Sequence, residues 1–269
     1  MPRFAANLTF MFPELPFLDR FKAAATAGFR GVEFLFPYDH SAAVIADLLN
    51  RHNLTNVLFN MPAGDWSVGE RGIAALPGRE SEFRASVERA ISYARALKTP
   101  LLHVLAGILP IERQREEFRT VYLANLRYAA VQAAAHGITL LVEAINPTDI
   151  PGYLIGTQEQ SCDVCTTIQR ENVRMQLDLY HVQMTEGNLA TALRRYRGAY
   201  AHVQVAGVPG RNEPDLGEVN YRYLFSLLDE LGYEGWVGCE YRPRGDTLRG
   251  LSWRGARSKH AQPGSPDMA

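Results

Sequence analysis

Short apolar runs, rich in β-branched and aromatic residues, alternate with amphipathic stretches along almost the whole chain. Eight of these runs are six to eight residues long and are typical of strands buried on both faces. We predict strands at residues 3–10, 31–36, 55–60, 101–107, 139–144, 173–179, 200–206 and 236–241.

The stretches between these runs carry apolar residues at helical spacing and have recognisable helix ends. Phe21 and Ala24 share one face of the first such stretch, which stops near Gly28. Ser41 precedes another stretch as an N-cap, and Gly137 follows a long one as a C-terminal stop. Each strand pattern is therefore followed by a predicted helix.

Eight strands that alternate with helices predict the α/β class and a single (β/α)₈ TIM barrel. A doubly wound open sheet is the alternative. It usually needs fewer strands, and no G-x-G-x-x-G motif follows the first run. We assign the barrel to residues 1–255 and predict that the polar tail, residues 256–269, is disordered.

One connection, residues 61–80, is much longer than a simple turn. Loops of this length in a compact domain are usually lids or binding loops. Its glycines permit movement, and Trp66 offers a large apolar face to a bound molecule. We predict a lid in which Trp66 contacts the substrate, with a static loop over the barrel rim as the alternative.

Composition removes several classes of function. The 269 residues carry a formal net charge of -1, so nothing indicates a nucleic acid or another polyanion as a partner. The only lysines, Lys22, Lys98 and Lys259, do not end predicted strands, which leaves a Schiff-base mechanism without a candidate. No apolar run is long enough to span a membrane, and no signal peptide is indicated.

The three cysteines do not form a recognisable metal or redox motif. Cys162 and Cys165 make a C-x-x-C that we place on a helix, with no second Cys/His pair to accompany it. We interpret them as structural residues and expect a reduced, cytoplasmic compartment.

The last four predicted strands each end in an oxygen ligand that could bind a metal: Glu143, Asp178, Gln204 and Glu240. Late strand positions build the active site of a (β/α)₈ barrel. Carboxylate and amide oxygens suit Mg²⁺ or Mn²⁺, and a cation held by all four would leave room for two adjacent substrate oxygens. The two glutamates could then pass a proton between neighbouring carbons through an enediolate, which is an aldose–ketose isomerisation. The alternative is that some are solvated strand ends.

Two further residues near these strand ends are candidates for substrate binding. His181 lies three residues after Asp178 and could donate a hydrogen bond to a substrate oxygen, or it could simply be a capping histidine in a loop. Arg211 follows Gln204 in a loop, and its guanidinium fork matches the geometry of a substrate carboxylate. A surface arginine paired with Glu213 is the alternative for Arg211.

Several polar residues near the ends of the first four strands could line the same mouth. Asn7, Glu33, Asn60 and His103 belong to this group, and burial as satisfied polar residues is the alternative for each. Of these we predict substrate contacts for Asn7 and His103. His202 lies two residues before Gln204, so we place it in the barrel interior.

With these residues in view, the chain resembles the hydroxypyruvate isomerase family, within the xylose isomerase-like barrels related to tagatose epimerase. The matching stretches span residue 3 to about residue 253: RFAANLTFMF, GFRGVEFLFPYD, PAGDWSVGERGIAALPGRE, LVEAINPTDIPGY, QLDLYHVQMTEGNL, AHVQVAGVPGRNEPDLGEVNY and GYEGWVGCEYRPRG. NLTFMF, HVLAGILP and HVQVAGVPGR are at least as similar to 2-oxo-tetronate isomerases.

The resemblance implies a carbohydrate-metabolism enzyme that isomerises a small 2-oxo-3-hydroxy acid, either hydroxypyruvate to tartronate semialdehyde or 2-oxo-tetronate. It also implies that Glu143 and Glu240 are the catalytic acid/base pair. Related sugar epimerases usually carry a histidine where Gln204 stands. Because an amide oxygen binds metal more weakly than imidazole, we expect the cation to be weakly bound or dispensable.

Three other functions remain as alternatives. A ketose 3-epimerase of the tagatose epimerase type would use the same carboxylates on a neutral sugar. A non-catalytic sugar-acid binding protein would not need two intact glutamates. The endonuclease IV branch needs more histidines for its three-zinc cluster than His103 and His181 supply. The sequence leaves open which acid is preferred and whether the chain forms a homo-oligomer.

Overall fold

The computed structural model describes residues 1–110 and 115–254, so the predicted disordered tail lies outside the described residues. Eight strands form a closed barrel in chain order, and β8 closes it by pairing in parallel with β1. The (β/α)₈ prediction is confirmed. The strands are β1 Arg3–Asn7, β2 Gly31–Phe34, β3 Thr55–Asn60, β4 Leu101–His103, β5 Thr139–Glu143, β6 Val173–Asp178, β7 Tyr200–Val205 and β8 Trp236–Cys239.

The helices depart from a strict count of one per strand. Two helices follow β6, whereas the described chain after β8 forms only the 3₁₀ helix Arg249–Arg254. Our expectation that a helix follows each strand is confirmed for β1 to β7, with one additional helix after β6. The α-helices are α1 Arg20–Thr26, α2 Ala42–Arg51, α3 Glu80–Leu97, α4 Arg115–Ala134, α5 Gln158–Ile168, α6 Leu179–Thr185, α7 Leu189–Arg195 and α8 Tyr221–Glu230.

Some strands are shorter than the apolar runs that predicted them. The run at 101–107 forms a strand only over Leu101–His103, although Val104, Leu105 and Ala106 beyond it are also buried. The Ala106 N–H donates instead to the Tyr153 hydroxyl at 2.9 Å. Apolar residues mark burial, and burial under a loop gives the same pattern as burial in a sheet.

Apolar side chains fill two separate regions on opposite faces of the strands. On β5, Leu140 and Val142 belong to the large core between the barrel and its helices. Leu141 belongs to a small cluster with Ala5 and Leu58. Because side chains alternate along a strand, Glu143 shares the inward face with Leu141 and lies nearer the carboxyl end.

The long connection after β3 is anchored at its second half. Ile73 and Ala75 are buried, and the Ala75 N–H donates to the Ala106 carbonyl at 2.8 Å. A Cβ on Gly72 would lie 2.4 Å from the Leu105 carbonyl oxygen, so only glycine fits there. The exposed residues are 64–69, around the 3₁₀ helix Trp66–Val68, and 77–78. If the segment acts as a lid, we expect residues 64–69 to move.

The C-x-x-C lies on a helix, as predicted. Cys162 and Cys165 are on α5, half-buried against the large core and unpaired. Burial raises the pKa of the Cys165 thiol to about 12, which removes the thiolate that redox chemistry needs. None of the described helices combines the length and apolar character needed to cross a bilayer.

Candidate active site

A cavity of ≈ 500 Å³ opens at the carboxyl end of the barrel. Six of the nine predicted site residues line it: Trp66, His103, Glu143, His181, Arg211 and Glu240. The other three, Asn7, Asp178 and Gln204, are buried beside it. The structure therefore brings the predicted residues to one place, and their individual roles stay predictions.

Glu143 is the last residue of β5 and is almost completely buried. Its Oε2 lies 3.6 Å from His103 Nδ1, and its Oε1 has no hydrogen-bond partner among the described residues. Burial, together with the negative charges of Glu240 and Asp178, raises the pKa of Glu143 well above its ordinary value. Burial therefore favours the neutral form of this carboxyl group unless a cation compensates its charge.

Glu240 lies directly after β8 and is held by three donors. Its Oε2 accepts from Asn7 Nδ2 at 3.0 Å and from Gln204 Nε2 at 2.6 Å, and its Oε1 accepts from Arg211 Nη2 at 2.6 Å. Burial raises the pKa of Glu240 to about 8, against the opposing effect of Arg211. The two glutamates thus share one cavity in different environments, which is the arrangement that an acid and a base require.

Asp178 ends β6 and begins α6. Its Oδ1 caps the helix by accepting from the Tyr180 N–H at 2.8 Å. Its Oδ2 is buried without a hydrogen bond in the described part of the chain, at 3.6 Å from His181 Nε2 and 3.7 Å from Arg211 Nη2. Burial raises the pKa of Asp178 to about 6.

His181 lies in the first turn of α6, not in a loop as the capping alternative assumed. The backbone N–H of Asn146 donates to its Nδ1 at 3.3 Å, so the proton of the neutral ring is on Nε2. Burial, with Arg211 and His103 nearby, lowers the pKa of His181 well below its ordinary value. His181 therefore presents a neutral N–H donor, which suits a substrate oxygen better than a metal ion.

Gln204 lies in a buried polar network beneath the cavity. Its Nε2 donates to Glu33 Oε1 at 2.7 Å and to Glu240, while its oxygen accepts from Gln176 Nε2 at 2.6 Å. His202 is fully buried and lies 2.7 Å from the same Glu33, in the barrel interior as we expected. For Gln204 to bind a metal through its oxygen, its side-chain amide would have to flip, so that the oxygen and the nitrogen exchange places.

Some side chains in this cavity nevertheless fit a hard cation. Glu143 Oε1 and Asp178 Oδ2 are buried acceptors without described partners. Glu143, Asp178 and His181 offer atoms that all lie within 4.8 Å of one another. Since His181 presents an N–H, the fitting donors are the carboxylates, together with Gln204 once its amide has turned.

Arg211 lines the cavity, and its guanidinium is paired with carboxylates of the protein. Its Nη1 donates to Asp149 at 3.2 Å and its Nη2 to Glu240, and its guanidinium lies 4.8 Å from the Tyr180 ring. Glu213, the alternative partner, instead accepts from the Arg244 backbone N–H at 3.1 Å. A substrate carboxylate could bind this fork only by displacing a protein carboxylate.

Sequence reasoning missed four residues of this site. Asn146, Asp149, Gln176 and Tyr180 position His181, Arg211 and Gln204, but none of them ends a predicted strand. One signal was available: Asn146 precedes Pro147, and this dipeptide marks the loop directly after β5.

Comparison with known proteins finds relatives that match over most of the chain. Residues 21–257 match the model of a family described as xylose isomerase-like TIM barrel. A 2-oxo-tetronate isomerase of Cupriavidus necator is 51% identical over 94% of this chain and 97% of its own length. The hydroxypyruvate isomerase of Escherichia coli is 44% identical over 94% and 98%. A crystal structure described as AP endonuclease, family 2, from Brucella melitensis matches with a TM-score of 0.93 at 54% identity, covering 96% of this chain and 100% of that one.

Proposed function

Since the chain belongs to the xylose isomerase-like TIM barrel family and is an isomerase, we propose that it acts on a small 2-oxo-3-hydroxy acid. Hydroxypyruvate and 2-oxo-tetronate are the substrates we favour, because the relatives named for them are similar over nearly their whole length. The observation that carries the proposal is a pair of glutamates at one cavity, with Glu143 buried and Glu240 largely buried.

In the proposed reaction, one glutamate removes a proton from C3 of hydroxypyruvate. The C–H electron pair forms a double bond to C2, and the C2 oxygen takes the negative charge of an enediolate. The other glutamate returns a proton at C2, while the proton of the C3 hydroxyl passes to the C2 oxygen. The product is tartronate semialdehyde, and no atom is gained or lost.

Other residues would stabilise the charge that develops on the substrate. The Nε2–H of His181 would donate to a substrate oxygen as it becomes negative. Asn7 would hold Glu240 in place through its Oε2, and Gln204 would do the same as long as no cation is bound. His103 and Trp66 line the same cavity, and we keep them as substrate contacts.

We propose that Glu143, Asp178, Gln204 and Glu240 would hold a divalent cation, Mg²⁺ or Mn²⁺. When bound, such a cation supplies positive charge next to the two substrate oxygens. The free oxygens of Glu143 and Asp178 support this assignment. The present hydrogen bonds of Gln204 support weak binding, because they must be broken first.

A parallel assay of hydroxypyruvate, 2-oxo-tetronate and D-tagatose, with and without a chelator, tests the proposal. We expect turnover of at least one acid, reduced by the chelator, and little 3-epimerisation of tagatose. An abasic DNA duplex is a useful fourth substrate because of the similar protein described as AP endonuclease. Tagatose epimerisation that exceeds turnover of both acids, or cleavage of the duplex alone, would refute the assignment.

A further inference from the structure

Three arginines line the cavity: Arg71, Arg211 and Arg242. The cavity also contains the carboxyl groups of Glu143, Asp149 and Glu240, which repel an anionic ligand. An acid binds best to an arginine whose positive charge is not already neutralised by carboxylates of the protein. Arg211 does not meet this condition, because Asp149 and Glu240 occupy its Nη1 and Nη2.

Arg71 meets the condition. Its guanidinium lies 3.9 Å from the centre of the Trp66 ring, and no acidic group of the described chain lies within 4.0 Å of it. The neighbouring Glu70 pairs with Arg79 instead. Arg71 is half-buried, so water solvates its charge only in part. An anion that enters the cavity could pair with this charge.

The orientation of Arg71 is fixed by backbone oxygens. Its Nη1 donates to the Glu70 carbonyl at 2.7 Å and to the Trp66 carbonyl at 3.2 Å. Its Nε and Nη2 make no hydrogen bond to any residue in 1–110 or 115–254. This free edge of the guanidinium has the two parallel N–H groups that bind a carboxylate in bidentate fashion.

Arg242 is the less suitable of the two remaining arginines. It is exposed, its guanidinium lies 5.8 Å from the Phe10 ring, and its side chain has no ion pair within the described ranges. A flexible arginine loses more side-chain entropy on binding than one already held in place. Binding of a carboxylate therefore costs less side-chain entropy at the fixed guanidinium of Arg71 than at Arg242.

We propose that Arg71 binds the carboxylate of the substrate through its Nε–Nη2 edge and so determines specificity for acids over neutral ketoses. This inference rests on the proposed function, because it assigns a binding group to the carboxylate, the end of the proposed substrate that does not react. The strand ends would hold the reacting carbons, and the segment 61–80 would recognise the acid group.

The test is the binding of tartronate, a three-carbon dicarboxylate that cannot isomerise, measured by calorimetry. In R71Q, the glutamine amide can still donate to a backbone carbonyl, but the charge and the fork are lost. We expect the Kd of tartronate to rise roughly 10- to 100-fold in R71Q and by less in R71K. The KM of hydroxypyruvate should rise with it, with a smaller change in kcat.

R84Q is the matched control. Arg84 is also an arginine stacked on an aromatic ring, 5.0 Å from the centre of Tyr128, but it is exposed and does not line the cavity. Its loss changes the net charge equally, so tartronate affinity should stay within about twofold of the wild type.

A second measurement separates carboxylate binding from mere support of the loop. Dihydroxyacetone is the neutral counterpart of hydroxypyruvate, and its inhibition constant should be the same in the wild type and R71Q. Equal losses for dihydroxyacetone and tartronate would mean that Arg71 only supports the loop, and the inference would be overturned. Tartronate affinity that is unchanged in R71Q, lost only in R242Q, or undetectable in the wild type would overturn it too. If the wild type turned over neither acid, the proposed function would fail while tartronate binding still decided the role of Arg71.

Discussion

Leu140 and Glu143 lie on the same strand, yet they belong to two different regions of the molecule. Leu140 packs in the core between the barrel and the helices, and Glu143 lines the cavity at the carboxyl end. Both are about equally buried, at 1% and 5% exposure. Burial alone therefore does not distinguish a structural position from a functional one.

The two regions differ in whether a buried side chain has partners that offset the cost of its burial. Leu140 is surrounded by apolar partners, so its burial stabilises the fold. Glu143 is buried with an unpaired oxygen and near other carboxyl groups, so its burial destabilises its charged form. A buried acid without a partner is an arrangement that only a function explains well.

The largest expected effect comes from replacing the acids. Glu143→Gln and Glu240→Gln should each lower kcat roughly 10²- to 10⁴-fold, because the proton can no longer be exchanged at that position. Thermal unfolding should hardly change in Glu143→Gln, since glutamine has nearly the same shape and no charge to bury. Glu240→Gln should stay folded but lose some stability, because one of its two acceptor oxygens becomes an N–H donor that faces other donors. Steady-state kinetics and circular dichroism measure the two effects, and near-normal turnover in either variant would refute its catalytic role.

Replacing Leu140, on the other face of β5, should lower the stability of the fold and leave the activity nearly unchanged. Leu140→Ala removes a side chain that is 1% exposed, so the free energy of unfolding should fall by about 2–5 kcal/mol. The KM and kcat of the folded variant should stay within about twofold of the wild type. Urea denaturation gives the stability. A large loss of kcat at a temperature where the variant is fully folded would show that the two faces are coupled.

A third effect should follow from adding a divalent cation to chelator-treated protein. The pKa values of Asp178 and Glu240 are raised to about 6 and about 8, so the native state binds more protons than the unfolded state between about pH 4.5 and 8. Without a cation, stability should therefore fall as the pH rises through this window. Mn²⁺ replaces these protons, so it should stabilise the protein more at pH 8 than at pH 5. At 100 times its Kd at pH 8, the whole stabilisation should be about 2.7 kcal/mol.

Thermal unfolding with Mn²⁺ at several pH values measures this effect. Asp178→Asn is the control, because it removes one carboxylate from the proposed cation site and should reduce the shift. An Mn²⁺ effect that does not depend on pH, or that is absent, would contradict the proposed cation site.

The smallest expected effect comes from replacing Arg211. Arg211 lowers the pKa of Glu240, so Arg211→Ala should move the pH profile of kcat to higher pH, with about a tenfold loss of rate for each pKa unit. Arg211→Lys should move it less. If instead KM for acids rises while the pH profile stays in place, Arg211 binds the substrate carboxylate as the sequence first indicated, and Arg71 does not.

Much of the site was predictable because strand ends are local features of the sequence. Glu143, Asp178 and Glu240 follow short apolar runs directly, and in a closed parallel barrel all such positions face one mouth. The helix pattern was less informative. The second helix after β6, and the 3₁₀ helix that the described residues after β8 form, both depend on how each loop packs.

The sequence by itself determined the barrel, the carboxyl-end location of the site and the acids within it, because hydrophobic period and strand-end chemistry are read from neighbouring residues. Only the tertiary structure decided the partners of those groups. The Asn146 N–H that sets the His181 tautomer is 35 residues away in sequence, and the Asp149 carboxylate on Arg211 is 62 residues away. Such contacts form across loops that fold back on one another, so the pairing of charges, and with it the free edge of Arg71, is a property of the folded chain.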